Sequence, residues 1–127
     1  MTDQKKSILI IEDEIQIRGA LRDFLVQNGF AVLEAEDGEK GLDIATREHP
    51  NLILLDIVMP KMDGMTMLEL LRDDPWGKTA PVIILTNLSA TDEKRNADVT
   101  KLLPAFYLVK SDWKLENLLE KIHECLS

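Results

Sequence analysis

Charged and hydroxyl side chains stand where the apolar runs of this sequence end. Glu12 and Asp13 follow the first run, Asp56 follows the third, Thr86 follows the fourth, and Lys110 follows the fifth. If these runs are parallel strands of one sheet, ligands bind in the crevice beyond their carboxyl ends. The sequence therefore predicts a site that contains three carboxylates, one hydroxyl and one ammonium group.

The residue types indicate the chemistry of this site. Three adjacent carboxylates raise one another's pKa unless a cation lies between them. Oxygen ligands without His or Cys suit a hard ion such as Mg²⁺, which keeps several of its waters. An aspartate beside this ion can attack a phosphoryl group, whose oxygens the Lys110 ammonium and Thr86 hydroxyl can bind. Asp56, which faces the acidic pair, is the candidate for this aspartate.

Each of these residues also has an ordinary structural interpretation. Asp13 has capping-box spacing before the first amphipathic stretch, and taken alone it is better explained as a helix N-cap than as a metal ligand. Taken alone, Glu12 would be an ordinary strand-end charge, and Lys110 would be a solvated lysine. Asp56 would be a turn residue, and Thr86 would be a common strand-ending residue. Five such coincidences at one edge are improbable, so the combination favours a binding site.

Five apolar runs alternate with five amphipathic stretches, which indicates strands that alternate with helices. The runs lie at 7–11, 30–35, 52–55, 81–85 and 105–109. The helical patterns run from 14 to a stop at 28–29, through 41–45 to 49–50, through 65–71 to 74–77, over 91–103, and through 115–126. The pattern over 91–103 is only weakly amphipathic. A helix there would bury the least apolar surface and cost the least free energy to shift, so we expect this fourth helix to be the mobile element.

This alternation predicts a doubly wound α/β fold, with a five-stranded parallel sheet, right-handed crossovers and helices on both faces. Strands 1, 3 and 4 are the most continuously apolar and should be central, whereas strand 2 is interrupted by Glu34 and should lie at an edge. These features favour the flavodoxin-like order 2-1-3-4-5. We expect a single domain over 1–127.

Composition narrows the classes of function. The 127 residues carry a net charge of -8, which disfavours direct nucleic-acid binding. Cys125, His49 and His123 are too few for a zinc site. The polar start, without a leader peptide, and apolar runs far shorter than the roughly 20 residues of a membrane span predict a cytoplasmic protein that has no contact with membranes.

Taken together, the motifs resemble the receiver domain of two-component response regulators, and in particular chemotaxis regulators. The resemblance covers nearly the whole chain. Its motifs are IIEDE at 10–14, LLDIVMP at 54–60, MDG at 62–64, PVIILT at 81–86 and YLVK at 107–110. Each motif alone is weak, but together, in this order and spacing, they are specific.

The resemblance implies a phosphorylation site and a metal site. Asp56 would accept a phosphoryl group from the phosphohistidine of a histidine kinase, from a phosphotransfer protein or from a small phosphodonor. Asp13 would bind Mg²⁺ directly and Glu12 through water, with Asp56 and the backbone carbonyl of Val58 as further ligands. Mn²⁺ could substitute for Mg²⁺.

The resemblance also implies a switch. Lys110 would hold a phosphate oxygen, Thr86 would swing toward the phosphoryl group, and Tyr107 would rotate inward with it. The change would reach the face formed by helix 4, strand 5 and helix 5, which would bind a downstream protein target. This output surface would include Lys94, Lys101, Tyr107 and Trp113, and the chain would be a monomer or a phosphorylation-dependent dimer.

The sequence departs from the family pattern near the expected switch. Ser111 replaces the usual proline after the lysine, Asn87 replaces the usual small residue after the threonine, and 103–104 replaces a Gly-Ala pair. Asn87 could alter access to the phosphate. Val58 and Leu88, which the resemblance places near the phosphoryl group, are apolar and poor at orienting an attacking water, so we expect the phosphorylated state to decay slowly.

In phosphorylation-dependent signalling, the chain would catalyse only phosphoryl transfer to its own Asp56 and hydrolysis of the phosphate from it. Three other functions compete with this interpretation. A phosphorylation-independent receiver-like interaction module is the main alternative. A phosphohydrolase is disfavoured because Val58 stands where such enzymes place an acid/base aspartate. A nucleotide-binding domain is disfavoured because the loop after strand 1 lacks glycines.

Overall fold

The computed structural model describes residues 5–56, 64–86, 106–109 and 115–126. The strands are β1 (Ser7–Ile11), β2 (Ala31–Ala35), β3 (Leu52–Asp56), β4 (Val82–Thr86) and β5 (Phe106–Val109). The helices are α1 (Ile15–Gln27), α2 (Gly38–Glu48), α3 (Gly64–Asp73) and a C-terminal helix (Leu115–Leu126), and a short 3₁₀ helix spans Gly77–Thr79. The predicted helix over 91–103 lies outside the described residues.

The strands form one parallel sheet in the order β2-β1-β3-β4-β5, which confirms the predicted order. β1 and β3 are almost entirely buried, whereas β2 is exposed at its first residue and only half-buried through its middle. This contrast follows from position, since a central strand is covered by helices on both faces. The apolar continuity of the sequence runs therefore predicted the order correctly.

Side chains that alternate along the central strands divide between two apolar clusters, one on each face of the sheet. One cluster packs against α2 and α3, and its strand residues include Leu9, Ile11, Ile53, Leu55, Val82 and Ile84. The other packs against α1 and the C-terminal helix, and its strand residues are Ile8, Ile10, Leu52, Leu54, Ile83 and Leu85. Helices therefore cover both faces of the sheet, as predicted.

Two predicted helix stops are confirmed. Asn28 is the C-cap of α1 and is followed by Gly29, whose φ of 90° falls in the left-handed region that glycine adopts without strain. His49 is the C-cap of α2 with φ 50°, and its ring stacks on Trp76 with 4.5 Å between ring centroids. Pro50 follows it and cannot continue the helix.

The strand bounds differ slightly from the sequence prediction. β2 begins at Ala31, because the backbone N–H of Phe30 donates to the Leu25 carbonyl and so belongs to the end of α1. β4 begins after Pro81, which has no N–H for the sheet. β5 is described from Phe106, and Ala105, the first residue of the predicted run, lies outside the described residues. Within the described ranges, no helix is long and apolar enough to cross a membrane.

Candidate functional site

The acidic residues lie where the strand order reverses. The chain passes from β1 outward to β2 and then back to β3 on the other side of β1, so the crevice beyond these strands is the expected binding position. Ile11 and Leu55 are partners across β1 and β3. The residues that follow these two in the chain, Glu12 and Asp56, therefore lie at the same place.

Three carboxylates converge at this place. Glu12, Asp13 and Asp56 each offer an oxygen atom, and these oxygens all lie within 4.8 Å of one another. Glu12 is 1% exposed and Asp56 is 6% exposed, whereas Asp13 is exposed. Two carboxylates are thus buried beside a third that faces solvent. Such proximity of like charges is costly without a compensating cation.

The donor set fits a hard divalent cation. Among the described residues, this group offers carboxylate oxygens and no sulfur or nitrogen atom. Mg²⁺ and similar ions prefer such ligands, and Mg²⁺ is commonly held by one or two carboxylates together with several waters. The exposed side of Asp13 leaves room for those waters. The acidic group is therefore compatible with binding of a divalent metal.

Hydrogen bonds hold both the main chain and the side chain of Glu12 in place. Its backbone N–H donates to the Ala35 carbonyl at 3.0 Å, which extends the β1–β2 ladder by one residue. Its carboxylate oxygen Oε2 accepts from the backbone N–H of Glu14 at 3.1 Å. The Glu12 side chain is thus anchored at the start of α1 as well as in the carboxylate cluster.

The interpretation of Asp13 as the N-cap of the first helix is wrong. α1 begins at Ile15, and its N-cap is Glu14, which has extended φ and ψ and makes no side-chain capping hydrogen bond. The acidic residue that bonds an N–H near this helix start is Glu12, one position before Asp13. Because it does not cap the helix, the Asp13 side chain can contribute to the carboxylate cluster.

An ionic cluster that the sequence analysis missed lies beside the carboxylates. Arg18 of α1 donates to the backbone carbonyl oxygen of Glu12 at 2.9 Å and to Glu34 of β2 at 3.2 Å. Arg22 lies 3.5 Å from the second oxygen of Glu34. The only sequence signal was Glu34, a charge that interrupts an otherwise apolar strand.

The other predicted site residues are only partly described. Thr86 ends β4 one residue beyond Leu85, the partner of Asp56, so its backbone reaches the same edge of the sheet. Tyr107 lies in β5 opposite Ile84. Their side chains lie outside the described part of the structure. Four further predicted residues lie entirely outside the described residues: Val58, Asn87, Leu88 and Lys110.

Comparison with known families gives a match to the response regulator receiver domain over residues 8–123. Two relatives are described as "Probable transcriptional regulator ycf27" of Porphyridium aerugineum, 44% identical over 91 residues, and "Probable chemotaxis protein CheY" of Rhizobium etli, 42% identical over 84 residues. The first alignment covers 72% of this chain but only 37% of that relative, and the second covers 65% of each.

Solved structures with the same fold include chemotaxis regulators. The fold matches that of a CheY-like receiver domain protein from Methanospirillum hungatei with a TM-score of 0.87 and 28% identity, over 97% of this chain and 94% of that one. Chemotaxis protein CheY4 of Vibrio cholerae matches with a TM-score of 0.86 and 26% identity, over 97% of this chain and 100% of that one. The chain thus belongs to the response regulator receiver domains, the signalling modules of two-component systems, and is similar to their chemotaxis regulators.

Proposed function

We propose that Asp56 accepts a phosphoryl group, in a Mg²⁺-dependent reaction, from the phosphohistidine of a histidine kinase or of a phosphotransfer protein. The chain acts catalytically only on its own Asp56. The signal passes to a downstream protein through the face formed by the fourth predicted helix, β5 and the C-terminal helix. Cytoplasmic action and a monomer, or a dimer that forms on phosphorylation, belong to the same proposal.

The observation that carries this proposal is the convergence of Glu12, Asp13 and Asp56 at the reversal of strand order. Asp56 ends a fully buried strand, so its carboxylate has a fixed position at the crevice. Glu12 is anchored beside it by the bond from the Glu14 amide. Fixed positions favour transfer because a nucleophile held in place needs no further ordering to react.

The transfer itself is a single displacement. An oxygen of the Asp56 carboxylate forms the new bond to phosphorus while the P–N bond of the donor phosphohistidine breaks, and the imidazole nitrogen keeps the electron pair. Mg²⁺, when bound by Glu12, Asp13, Asp56 and the Val58 carbonyl, would neutralise charge on the phosphoryl oxygens. In the same proposal, the Lys110 ammonium binds one of these oxygens.

The phosphorylated carboxylate then acts as a switch. It carries additional negative charge and strong hydrogen-bond acceptors, which select among packings of nearby loops. Thr86 is the proposed donor to the phosphoryl group, and Tyr107 is the side chain that follows it. The backbones of both residues lie in β4 and β5, next to the proposed output face.

Intact-protein mass spectrometry tests the phosphorylation. The full chain is incubated with acetyl phosphate and Mg²⁺, and we expect it to gain the mass of one phosphoryl group, whereas EDTA prevents the gain. Asp56→Asn should gain nothing. Asp43→Asn is the matched control, because Asp43 lies on α2 in an exposed ion pair with Arg47, and it should react like the wild type.

A second donor distinguishes phosphorylation from the main alternative. If neither acetyl phosphate nor a panel of phosphorylated histidine kinases modifies the wild-type chain in Mg²⁺, the proposal is wrong. A phosphorylation-independent interaction module then explains the fold better. Modification of Asp56→Asn at the wild-type rate would instead show that the acceptor lies elsewhere.

A further inference from the structure

We propose that Arg18 is a positioning residue for the metal-binding carboxylates. Its guanidinium group, oriented by Glu34, holds the backbone carbonyl of Glu12 and thereby sets the direction of Asp13. The inference rests on the proposed function, because it assigns this role toward the divalent cation of the same site. We call Arg18, Glu34 and the Glu12 carbonyl the arginine clamp.

The clamp connects three elements that are separate in sequence. Arg18 lies in α1, Glu34 lies in β2, and Glu12 begins the segment between β1 and α1. Nη1 of Arg18 donates to the Glu12 carbonyl oxygen at 2.9 Å, and Nε donates to Oε1 of Glu34 at 3.2 Å. Two donors of one planar group thus fix their acceptors relative to each other, a geometry that the ammonium group of lysine cannot reproduce.

Burial strengthens these contacts. The Arg18 side chain is only 15% exposed, and that of Glu34 is 32% exposed. Arg22, which contacts the other oxygen of Glu34 at 3.5 Å, is 46% exposed and also contacts Asp23. Screening by water therefore weakens the Arg22 contact more than the Arg18 contacts. Arg22 is thus a natural control, since it shares Glu34 but has no contact with Glu12 among the described hydrogen bonds and ion pairs.

The held carbonyl controls the next residue through the peptide bond. The carbonyl of Glu12 and the N–H of Asp13 lie in one rigid plane. The plane before Glu12 is fixed by the hydrogen bond from its N–H to Ala35. Asp13 itself is exposed, so close packing does not hold its side chain. The clamp therefore restricts the peptide plane before Asp13, and the hydrogen bond from the Glu14 N–H to the Glu12 carboxylate restricts the plane after it.

Charge and geometry predict opposite effects of removing Arg18. As a nearby positive charge, Arg18 repels a cation bound by the carboxylates, so its loss alone would tighten metal binding. As a clamp, Arg18 pre-orders two ligands, so its loss would weaken metal binding. Arg18→Lys keeps the charge and removes only the planar double contact. The direction of the change in affinity therefore separates positioning from simple electrostatics.

The test uses Mg²⁺ titration calorimetry on the wild type and on Arg18→Lys, Arg18→Gln, Glu34→Gln and Arg22→Lys. We expect Arg18→Lys and Arg18→Gln to bind Mg²⁺ about tenfold more weakly than the wild type. This is the lower end of the loss in metal affinity found when a residue that orients metal ligands is substituted. Glu34→Gln should weaken binding in the same direction. Arg22→Lys should stay within about twofold of the wild type, because an exposed ion pair contributes little.

A second measurement does not require metal. The NMR order parameter of the Asp13 amide in the metal-free protein should fall in Arg18→Lys and Glu34→Gln and stay unchanged in Arg22→Lys. Urea unfolding of each variant checks that it is folded. Where Arg18→Lys does not fold, the Asp13 order parameter in Glu34→Gln serves, because loss of a carboxylate weakens cation binding by charge alone. Binding of Mg²⁺ that is unchanged or tighter in the Arg18 variants, or an unchanged Asp13 order parameter, would overturn the clamp. If the wild type binds no Mg²⁺, the proposed function fails, and the order parameters still decide the positioning.

Discussion

The carboxylate of Glu12 accepts a hydrogen bond from the backbone N–H of Glu14 at 3.1 Å, across the residue that lies between them. Glu12 and its neighbour Asp13 therefore have different roles. Glu12 is buried and supports the start of α1, whereas Asp13 is exposed and makes no capping bond to that helix. Substitution of Asp13 should consequently affect the cation site without weakening the helix.

Asp13→Asn separates cation binding from stability. Without metal, we expect the free energy of unfolding to stay the same or to rise by up to about 1 kcal/mol, since one charge leaves a cluster of three carboxylates. In the wild type, Mg²⁺ at about a hundred times its dissociation constant should add about 2.7 kcal/mol, because the ion binds only the folded state. Asp13→Asn should lose most of this addition. Urea unfolding with and without Mg²⁺ measures both effects.

Glu12→Ala is the contrasting variant for this prediction. It removes the acceptor of the Glu14 amide and one carboxylate, so it should destabilise the metal-free protein by about 1.5–2 kcal/mol, where the ranges for hydrogen bonds to charged groups and for lost helix caps overlap. A loss of metal-free stability in Asp13→Asn as large as that in Glu12→Ala would contradict the separate roles of the two residues.

The sequence predicted the strand order because strands that are buried on both faces consist mostly of apolar residues. β1 and β3 are apolar between Ser7 at the start of β1 and Asp56 at the end of β3, because helices cover both of their faces, and β2 carries Glu34 because an edge strand meets solvent. The convergence of Glu12, Asp13 and Asp56 followed from the same logic, since strand ends of a parallel sheet meet at one edge.

The arginine clamp could not be predicted in this way. Arg18 and Glu34 are sixteen positions apart, and their contact depends on how α1 lies against the edge strand. The N-cap prediction for Asp13 failed for a related reason. Capping-box spacing is a local pattern, and the burial of Glu12 at the end of β1 places a competing acceptor at the same helix start.

Gly41 lies against the end of β1, and a larger residue there should destabilise the fold. A Cβ atom at Gly41 would lie 2.8 Å from Cγ1 and 3.1 Å from Cγ2 of Ile11, a side chain that is 1% exposed. Crowding of this kind costs about 1–3 kcal/mol, which exceeds the roughly 1 kcal/mol that alanine gains over glycine in a helix. We expect Gly41→Ala to lower the free energy of unfolding, as measured in urea.

Gly19→Ala is the matched control for Gly41→Ala. Gly19 also lies within a helix, but a Cβ there would meet only the Arg22 Nη2 atom at 3.7 Å, an ordinary contact distance. Here the helix preference for alanine acts alone, so the protein should become more stable by about 0.5–1 kcal/mol. Equal effects of the two substitutions would contradict the close contact between α2 and β1.

The thiol of Cys125 should react slowly near neutral pH. Burial raises its pKa, Glu124 raises it further, and Lys121 opposes the change. Because the folded pKa is above the unfolded value, the contribution of this group to stability is complete below the unfolded pKa and is lost as pH rises through the folded pKa. Alkylation by iodoacetamide, followed by mass spectrometry, should therefore show a midpoint at higher pH in the native protein than in urea.

Glu124→Gln tests the cause of this shift. Glu124 contributes less to the raised pKa of Cys125 than burial does. The native alkylation midpoint should therefore move only part of the way toward the midpoint in urea. The midpoint in urea should not change. A native midpoint at or below that of the unfolded chain would show that the thiol is not held in a desolvated position.

Phosphate on Asp56 should be lost slowly, because Val58 and Leu88 are apolar at positions that the family resemblance places near the phosphoryl group. Hydrolysis requires a water oriented toward phosphorus, and polar side chains can orient it. Val58→Asn combined with Leu88→Gln should therefore speed the loss by roughly tenfold or more, a modest share of what a positioned polar group can supply. The rate is read by mass spectrometry after acetyl phosphate is removed, with Val26→Asn, at an exposed position of α1, as the control. An unchanged rate in the double variant would show that the two apolar side chains do not limit the attack of water.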